Sequence, residues 1–288
     1  MKTAVRMVYA PAMFFGFLAA AVTAVNHGAS LAVLPALLLA AIFVSWTAER
    51  YVPYEPAWNH SRRDTGRDVA HALVNELATA ASVATIPFAA ALRPWEGLWP
   101  HSWSLGAQLA LAVVVADIGI TLVHWTSHRV GWLWRFHAVH HSVERMYGFN
   151  GLMRHPVHQA IETLAGTFPL VLIGLPLQIG ALLGFAVAIQ LLLQHSNVDM
   201  RLGPLRHVFA WAPVHRPHHV ARAADGNVSF GLFTTLVDRV LGTMPAPGSR
   251  PIADGELGIE DRPDFPRGYV AHLVEPFVPA RSRIAAAA

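Results

Sequence analysis

Long apolar runs set the terms on which this chain can fold. Met7 to Val25 carries no charge over nineteen residues, and Ala29 to Ala48 carries none over twenty. A helix of about twenty apolar residues crosses a hydrocarbon core of about 30 Å. Within lipid the backbone must satisfy its own hydrogen bonds, so helices are the form such runs take. The first run follows Lys2 and Arg6 as a secretory leader would, but the apolar runs downstream favour an uncleaved anchor.

Leu77 to Leu92 is shorter and contains Pro87, which leaves a tilted span, a broken helix or a re-entrant segment open. Leu105 to Val123 is a further span. Leu164 to Gln194 is uncharged for thirty-one residues, but Pro169, Gly174, Pro176 and Gly180 interrupt it. As one helix it would be about 46 Å long, so a helical hairpin is expected, bringing His158 at its start near His195 at its end. Arg50, Arg62, Arg63 and Arg67 follow the second run, and Arg129 and Arg135 follow the fourth. Positive charge at span ends marks the cytoplasmic side. Between Arg93 and Trp103 lie Trp95, Trp99 and Trp103, expected as an aromatic belt on the opposite face.

The expected fold is therefore an all-α integral membrane protein. It has about four transmembrane helices, an apolar helical hairpin and a cytosolic, histidine-rich helical cap. Residues 1–48 form an N-terminal transmembrane hairpin, 49–245 one membrane domain and 246–288 a C-terminal cytoplasmic tail, with the chain from Asn197 onward on the cytoplasmic side. The net charge of +3 is too small to suggest nucleic acid, and the twenty Arg and single Lys suit anionic lipid headgroups.

Chemistry enters with histidine. Of seventeen His, twelve lie between His124 and His219, and the chain has no Cys, so any metal must be held by nitrogen and oxygen. His124 and His128 share a helix face at four-residue spacing. His137-Ala-Val-His140-His141 follows, and His215-Arg-Pro-His218-His219 repeats its spacing. On a helix His140 and His141 diverge by about 100° while each pairs with His137, so the motif straddles two metal ions. Eight imidazoles exceed the three or four that one zinc takes from protein, which favours a dinuclear site. Imidazole suits iron, zinc, copper and nickel alike.

His195 ends an apolar leg in Gln194-His195-Ser196-Asn197, and an ionisable group there is a candidate ligand. His155 and His158 flank Pro156; His158 is a candidate and His155 a weaker one. His27, His60, His101, His207 and His272 have no partner at ligand spacing and read as ordinary polar groups. Asp117, seven residues before His124 within an apolar run, is expected to hydrogen-bond the back of a ligand imidazole, with a pairing to Arg129 as the alternative.

These residues resemble the fatty acid hydroxylase and sterol desaturase superfamily over residues 45 to 245. The likeness rests on His124-x-x-x-His128, His137-x-x-His140-His141, Arg154-His155-Pro156, Gln194-His195-Ser196-Asn197, Leu202-Gly203-Pro204-Leu205, His215-x-x-His218-His219, Asp225-Gly-Asn227 and Asp238-Arg239 through Gly242-Thr243. Many relatives carry a carboxylate where this chain has His158, and the Val-Ser-Phe-Gly after Asn227 departs from the common aromatic-Gly.

The resemblance implies a four-helix core with a cytosolic ligand-bearing cap. Two Fe ions, replaceable by Zn on overexpression, would use O2 to hydroxylate or desaturate a C–H bond of a lipid such as a fatty acyl chain, aminolipid, sterol or hopanoid. The expected location is a bacterial inner membrane, with the metal site facing the cytoplasm. Neither a dinucleotide-binding glycine fingerprint nor a His-Pro-Gly-Gly segment is present, so a separate electron donor is implied, a ferredoxin or cytochrome with its reductase. Two other classes fit the sequence less well. A zinc-dependent membrane hydrolase would favour an H-E-x-x-H helix, which is missing, and a metal transporter would thread ligands through its spans, whereas here they gather at span ends.

Overall fold

A computed structural model describes residues 1–92, 95, 97–222, 226–246 and 250–279. Arg93, the Asp225 of the closing motif and the Ala285 to Ala288 tail lie outside the described residues. The described chain is helical, with only isolated bridges such as Pro53 to Val198 and Phe209 to Thr234.

Helix α1 (Lys2–Pro11) passes through a π-helical turn, Ala12–Gly16, into α2 (Phe17–Asn26). Pro11 lacks an N–H, and the ladder loosens just beyond it. α3 is Val33–Tyr51 and α4 is Thr65–Ala84. After a break at Thr85 the chain continues as α5 (Ile86–Leu92), so the third run is a broken helix that begins twelve residues earlier than its uncharged part. α6 is Leu105–Ser127, started by Ser104, whose hydroxyl accepts from the Ala107 N–H at 3.3 Å. Among the described residues, five helical stretches are long and apolar enough to cross a membrane: Lys2–Asn26, Val33–Tyr51, Thr65–Leu92, Leu105–Ser127 and Leu177–His195.

The expected hairpin is present. α8 (Pro156–Ile173) runs through Pro169 without breaking and ends at Gly174, whose φ of 104° needs a residue without Cβ. Pro176 then precedes α9 (Leu177–His195). Of the three tryptophans expected in a belt, Trp95 and Trp103 are half exposed. Trp99 is instead buried, its indole donating to Gln108 at 2.6 Å.

Large apolar side chains such as Leu39, Phe43, Leu77, Phe88, Leu164 and Phe168 face outward, as a lipid-bathed surface requires. Between helices in lipid, close backbone approach replaces water exclusion as the source of packing energy. α6 packs on α8 through Gly119 and Gly166: a Cβ on Gly119 would strike the Ala165 carbonyl, and one on Gly166 would meet Ile120. α9 is the most enclosed span. α7 (Gly131–His141), α10 (Ala212–His215) and the 3-10 turn Arg216–His219 gather at the ends of α6 and α9.

Candidate metal centre

Nine of the ten candidate histidines converge at that end in two sets. His124, His128, His137, His141 and His218 form one, and His140, His195, His215 and His219 the other, with the nitrogens of each set within 4.8 Å of one another. Each H-x-x-H-H motif is split between them. His137 and His141 enter the first set and His140 the second, while the second motif sends His218 to the first and His215 and His219 to the second. This is the 100° divergence of neighbouring helical residues put to use.

The ring orientations are fixed from behind. His124 Nδ1 lies 2.8 Å from the Phe230 carbonyl and His218 Nδ1 2.8 Å from the Val228 carbonyl. His140 Nδ1 lies 3.0 Å from the Met153 carbonyl, and His195 Nδ1 3.0 Å from Asn150 Oδ1. A carbonyl oxygen only accepts, so each of these Nδ1 atoms carries the proton and each Nε2 presents a bare lone pair. His124 Nε2 and His218 Nε2 then face each other at 2.8 Å with no proton to share. Two lone pairs at that distance repel unless a cation lies beside both.

The same holds elsewhere in the cluster. His128 Nε2, His137 Nδ1, His195 Nε2, His215 Nδ1 and His219 Nδ1 are buried without a hydrogen-bond partner. His137 and His141 approach through their Nε2 atoms at 3.0 Å, and His215 and His219 at 3.1 Å. Two imidazoles bound at about 2.1 Å to one ion at a right angle would have their nitrogens about 3 Å apart. The donor set therefore fits metal. Burial, with neighbouring imidazoles adding to it, holds His137, His141, His215 and His219 well below the usual histidine range, and burial brings His218 down to about 4. At neutral pH these rings are uncharged, as ligands must be.

His158 stands apart. Its ring is 4.5 Å from that of His137, but its Nε2 meets Ser127 Oγ at 2.9 Å and its Nδ1 lies 3.5 Å from Glu162, so it belongs to neither set. His155 caps α8, accepting from the Val157 N–H at 3.1 Å. His272 is buried rather than free, 3.1 Å from His71.

Asp117 touches no imidazole and does not pair with Arg129. Oδ1 accepts from the Phe233 N–H at 2.7 Å, and Oδ2 from the Thr234 N–H at 3.1 Å and its hydroxyl at 2.5 Å. Asp238 accepts from the Phe230 and Gly231 N–H groups, both at 2.8 Å. Two buried carboxylates thus pin the strap 228–235, whose carbonyls orient His124 and His218. Sequence reasoning placed Asp117 behind a ligand imidazole; the structure places it behind the strap whose carbonyls meet His124 and His218. Asn150 in this supporting role was not foreseen, because His195 lies 45 residues away; Asp238 entered the sequence reading only as part of the closing motif, although its partners are seven and eight residues before it. Glu162 sits four residues after His158, a spacing that could have flagged it.

Two nitrogen-rich clusters able to hold metal thus lie at one end of lipid-exposed helices. A model of the fatty acid hydroxylase family matches residues 109–243. The ornithine lipid hydroxylase OlsE of Rhizobium tropici is 35% identical over 238 residues, covering 80% of this chain and 71% of that protein. The chain belongs to the fatty acid hydroxylase family, and it is an oxygen-dependent oxidoreductase. The alkylglycerol monooxygenases of Danio rerio and Homo sapiens are 28% identical over 162 residues and 27% over 154. Those matches cover 56% and 53% of this chain but 34% and 32% of the relatives. No solved structure matches.

Proposed function

We propose that this protein hydroxylates a C–H bond of an aminolipid of the ornithine-lipid class, with one iron held by each histidine set. The observation that carries the reading is the 2.8 Å approach of the bare Nε2 atoms of His124 and His218, beside a second set of four imidazoles. His124, His128, His137, His141 and His218 would hold one ion, and His140, His195, His215 and His219 the other. Bound iron supplies the means to bind and reduce O2, in the balance R–H + O2 + 2e⁻ + 2H⁺ → R–OH + H2O.

The chain's own residues do the rest. The carbonyls of Val228, Phe230 and Met153 and the Asn150 amide keep the ligand lone pairs turned inward. Burial of the cluster keeps bulk water from the reacting centre. His158, held between Ser127 and Glu162, orders the wall beside His137 without joining either set. Electrons come from a separate ferredoxin or cytochrome with its reductase, and the metal site faces the cytoplasm of a bacterial inner membrane.

The test uses protein purified without chelators. Two iron ions per chain and a gain of one oxygen in ornithine lipid, dependent on O2 and an added reductase and ferredoxin, are expected. One ion per chain, or turnover with zinc and no O2, would refute the reading. Reporter fusions after Arg67 and His101 should report the cytoplasm and the far side respectively.

A further inference from the structure

A cavity of about 620 Å³ opens between α4, α5, α6, α8 and α9 within the span region. It lies directly beneath the histidine cluster: Ile120 and Leu191 in its wall each precede a candidate ligand, His124 and His195, by four residues, about 6 Å along a helix. Its composition is graded. Away from the cluster the wall is apolar, with Ile86, Phe168, Val171, Leu175 and Leu183. Towards the cluster it carries Asn75, Glu76, Arg154, Gln159 and Glu162.

Most of these polar groups satisfy one another. Arg154 donates to Glu162 at 2.6 Å, and the Gln159 amide donates to the Asn75 carbonyl at 2.8 Å and to Thr79 at 3.0 Å. The Asn75 side-chain N–H group donates to the Leu152 and Arg154 carbonyls, both at 3.0 Å. Two groups are left over. Asn75 Oδ1 is buried with no partner, in a side chain only 2% exposed. Glu76, on the neighbouring position of a membrane-spanning helix, has no hydrogen bond or ion pair among the described residues. Both are acceptors. An unpaired carboxylate at such depth is costly unless a cation or donor meets it, and in membrane segments it marks a binding site.

We infer that this cavity seats the lipid substrate with an amine-bearing headgroup against Asn75 and Glu76 and its chains along the apolar end. This rests on the lipid-hydroxylase reading and adds an orientation to it. The polar end of the lipid is the end nearest the metal sets, so the carbon oxidised lies in the headgroup or at the first carbons beside it, not far along a chain. Glu76 acts as a specificity residue, taking the amine, and Gly180 and Gly184 line the cavity where α9 packs closely on Ile86 and Thr79.

The experiment measures lipid binding to the full-length protein by native mass spectrometry, with ornithine lipid and its N-acetylated form as probes. Wild-type protein should bind the free amine at least tenfold more tightly than the capped lipid. Glu76→Gln should erase that difference with metal content unchanged, and Glu76→Asp should restore part of it. Leu183→Trp, which narrows the apolar end, should weaken long-chain lipids more than short-chain ones. Equal binding of both probes to wild type, or discrimination that survives in Glu76→Gln, overturns the inference. Fragmentation of any product separates the two readings. Oxygen located far along a chain refutes the orientation while leaving lipid hydroxylation intact. Absence of product beside amine-selective binding refutes the hydroxylase reading while leaving the site.

Discussion

Replacing Asp117 with Asn tests how the strap 228–235 serves the metal centre. The carboxylate accepts from two backbone N–H groups and one hydroxyl, with Thr121 Oγ1 a fourth, longer neighbour at 3.4 Å. An amide of the same shape keeps one accepting oxygen and turns an NH2 towards the remaining donors. The bonds at Oδ1 or the pair at Oδ2 survive, not both. Hydrogen bonds to a buried charge contribute about 1.5–3 kcal/mol each, so losing two costs about 3–6 kcal/mol. In a chain of this size that is a fall in Tm of about 6–12 °C. Release of the strap also frees the Phe230 carbonyl behind His124, and loss of such support weakens metal binding about 10- to 100-fold. Asp238→Asn, which loosens the same strap from its other side, should lower metal content similarly, and the double variant should fall short of the sum of the two. The assay is metal per chain after dialysis against a graded chelator, with thermal unfolding of the same samples. Unchanged metal retention in Asp117→Asn would refute the strap as the ligand-orienting device, whatever happens to Tm.

His195→Ala should deplete the second set and abolish turnover, while His155→Ala, which removes a helix cap and the contact of Nε2 with the Leu273 carbonyl at 3.2 Å, should lower Tm but keep two ions per chain by elemental analysis. Gly119→Val should lower Tm markedly because its side chain meets the Ala165 carbonyl, whereas Gly106→Ala, with open space around it, should not; thermal unfolding in detergent reads both. His272 is held down to about 4 by burial and the nearby Arg67, against about 6.5 in an unfolded chain. The unfolded state therefore binds the proton first, and stability that is full above about pH 6.5 should be lost as pH falls towards 4. His272→Gln should flatten that slope in Tm against pH. Asp64 behaves differently: burial would raise it, but the Arg145 hydrogen bonds and charge bring it to about 2. Its contribution, present above about pH 4, should fade only as pH drops to about 2.

Much of this was legible because it is local. Uninterrupted apolar runs gave the spans, Gly174 and Pro176 marked the hairpin turn, and the spacing of His137, His140 and His141 anticipated that their side chains part between two histidine groups. What stayed hidden depends on partners far along the chain. Glu49 accepts from the Gly148 N–H at 2.6 Å and from the Asn197 N–H at 3.1 Å, and nothing near Glu49 announces either. His272, which read as an ordinary polar group, meets His71 across two hundred residues. Asp117 was recognised as costly in its run, but the donors that offset the cost sit in a loop with no periodicity to reveal them. Trp99 was misplaced because composition alone cannot distinguish an interfacial ring from one folded back onto Gln108.

The division of each H-x-x-H-H motif has a consequence for how the molecule comes together. One set joins α6, α7 and the turn after α10; the other joins α7, α9 and the same region. Neither pocket can be completed by a single stretch of chain, and His124 and His218 are 94 positions apart. An ion in either set is thus a tie between the bilayer-embedded helices and the segment that closes over them. Its affinity contains the free energy of that closure, so loading and docking are one equilibrium. Withdrawal of metal should then loosen the segment that closes over the helices, and protease access to the region after Asn197 should rise as a chelator removes the ions.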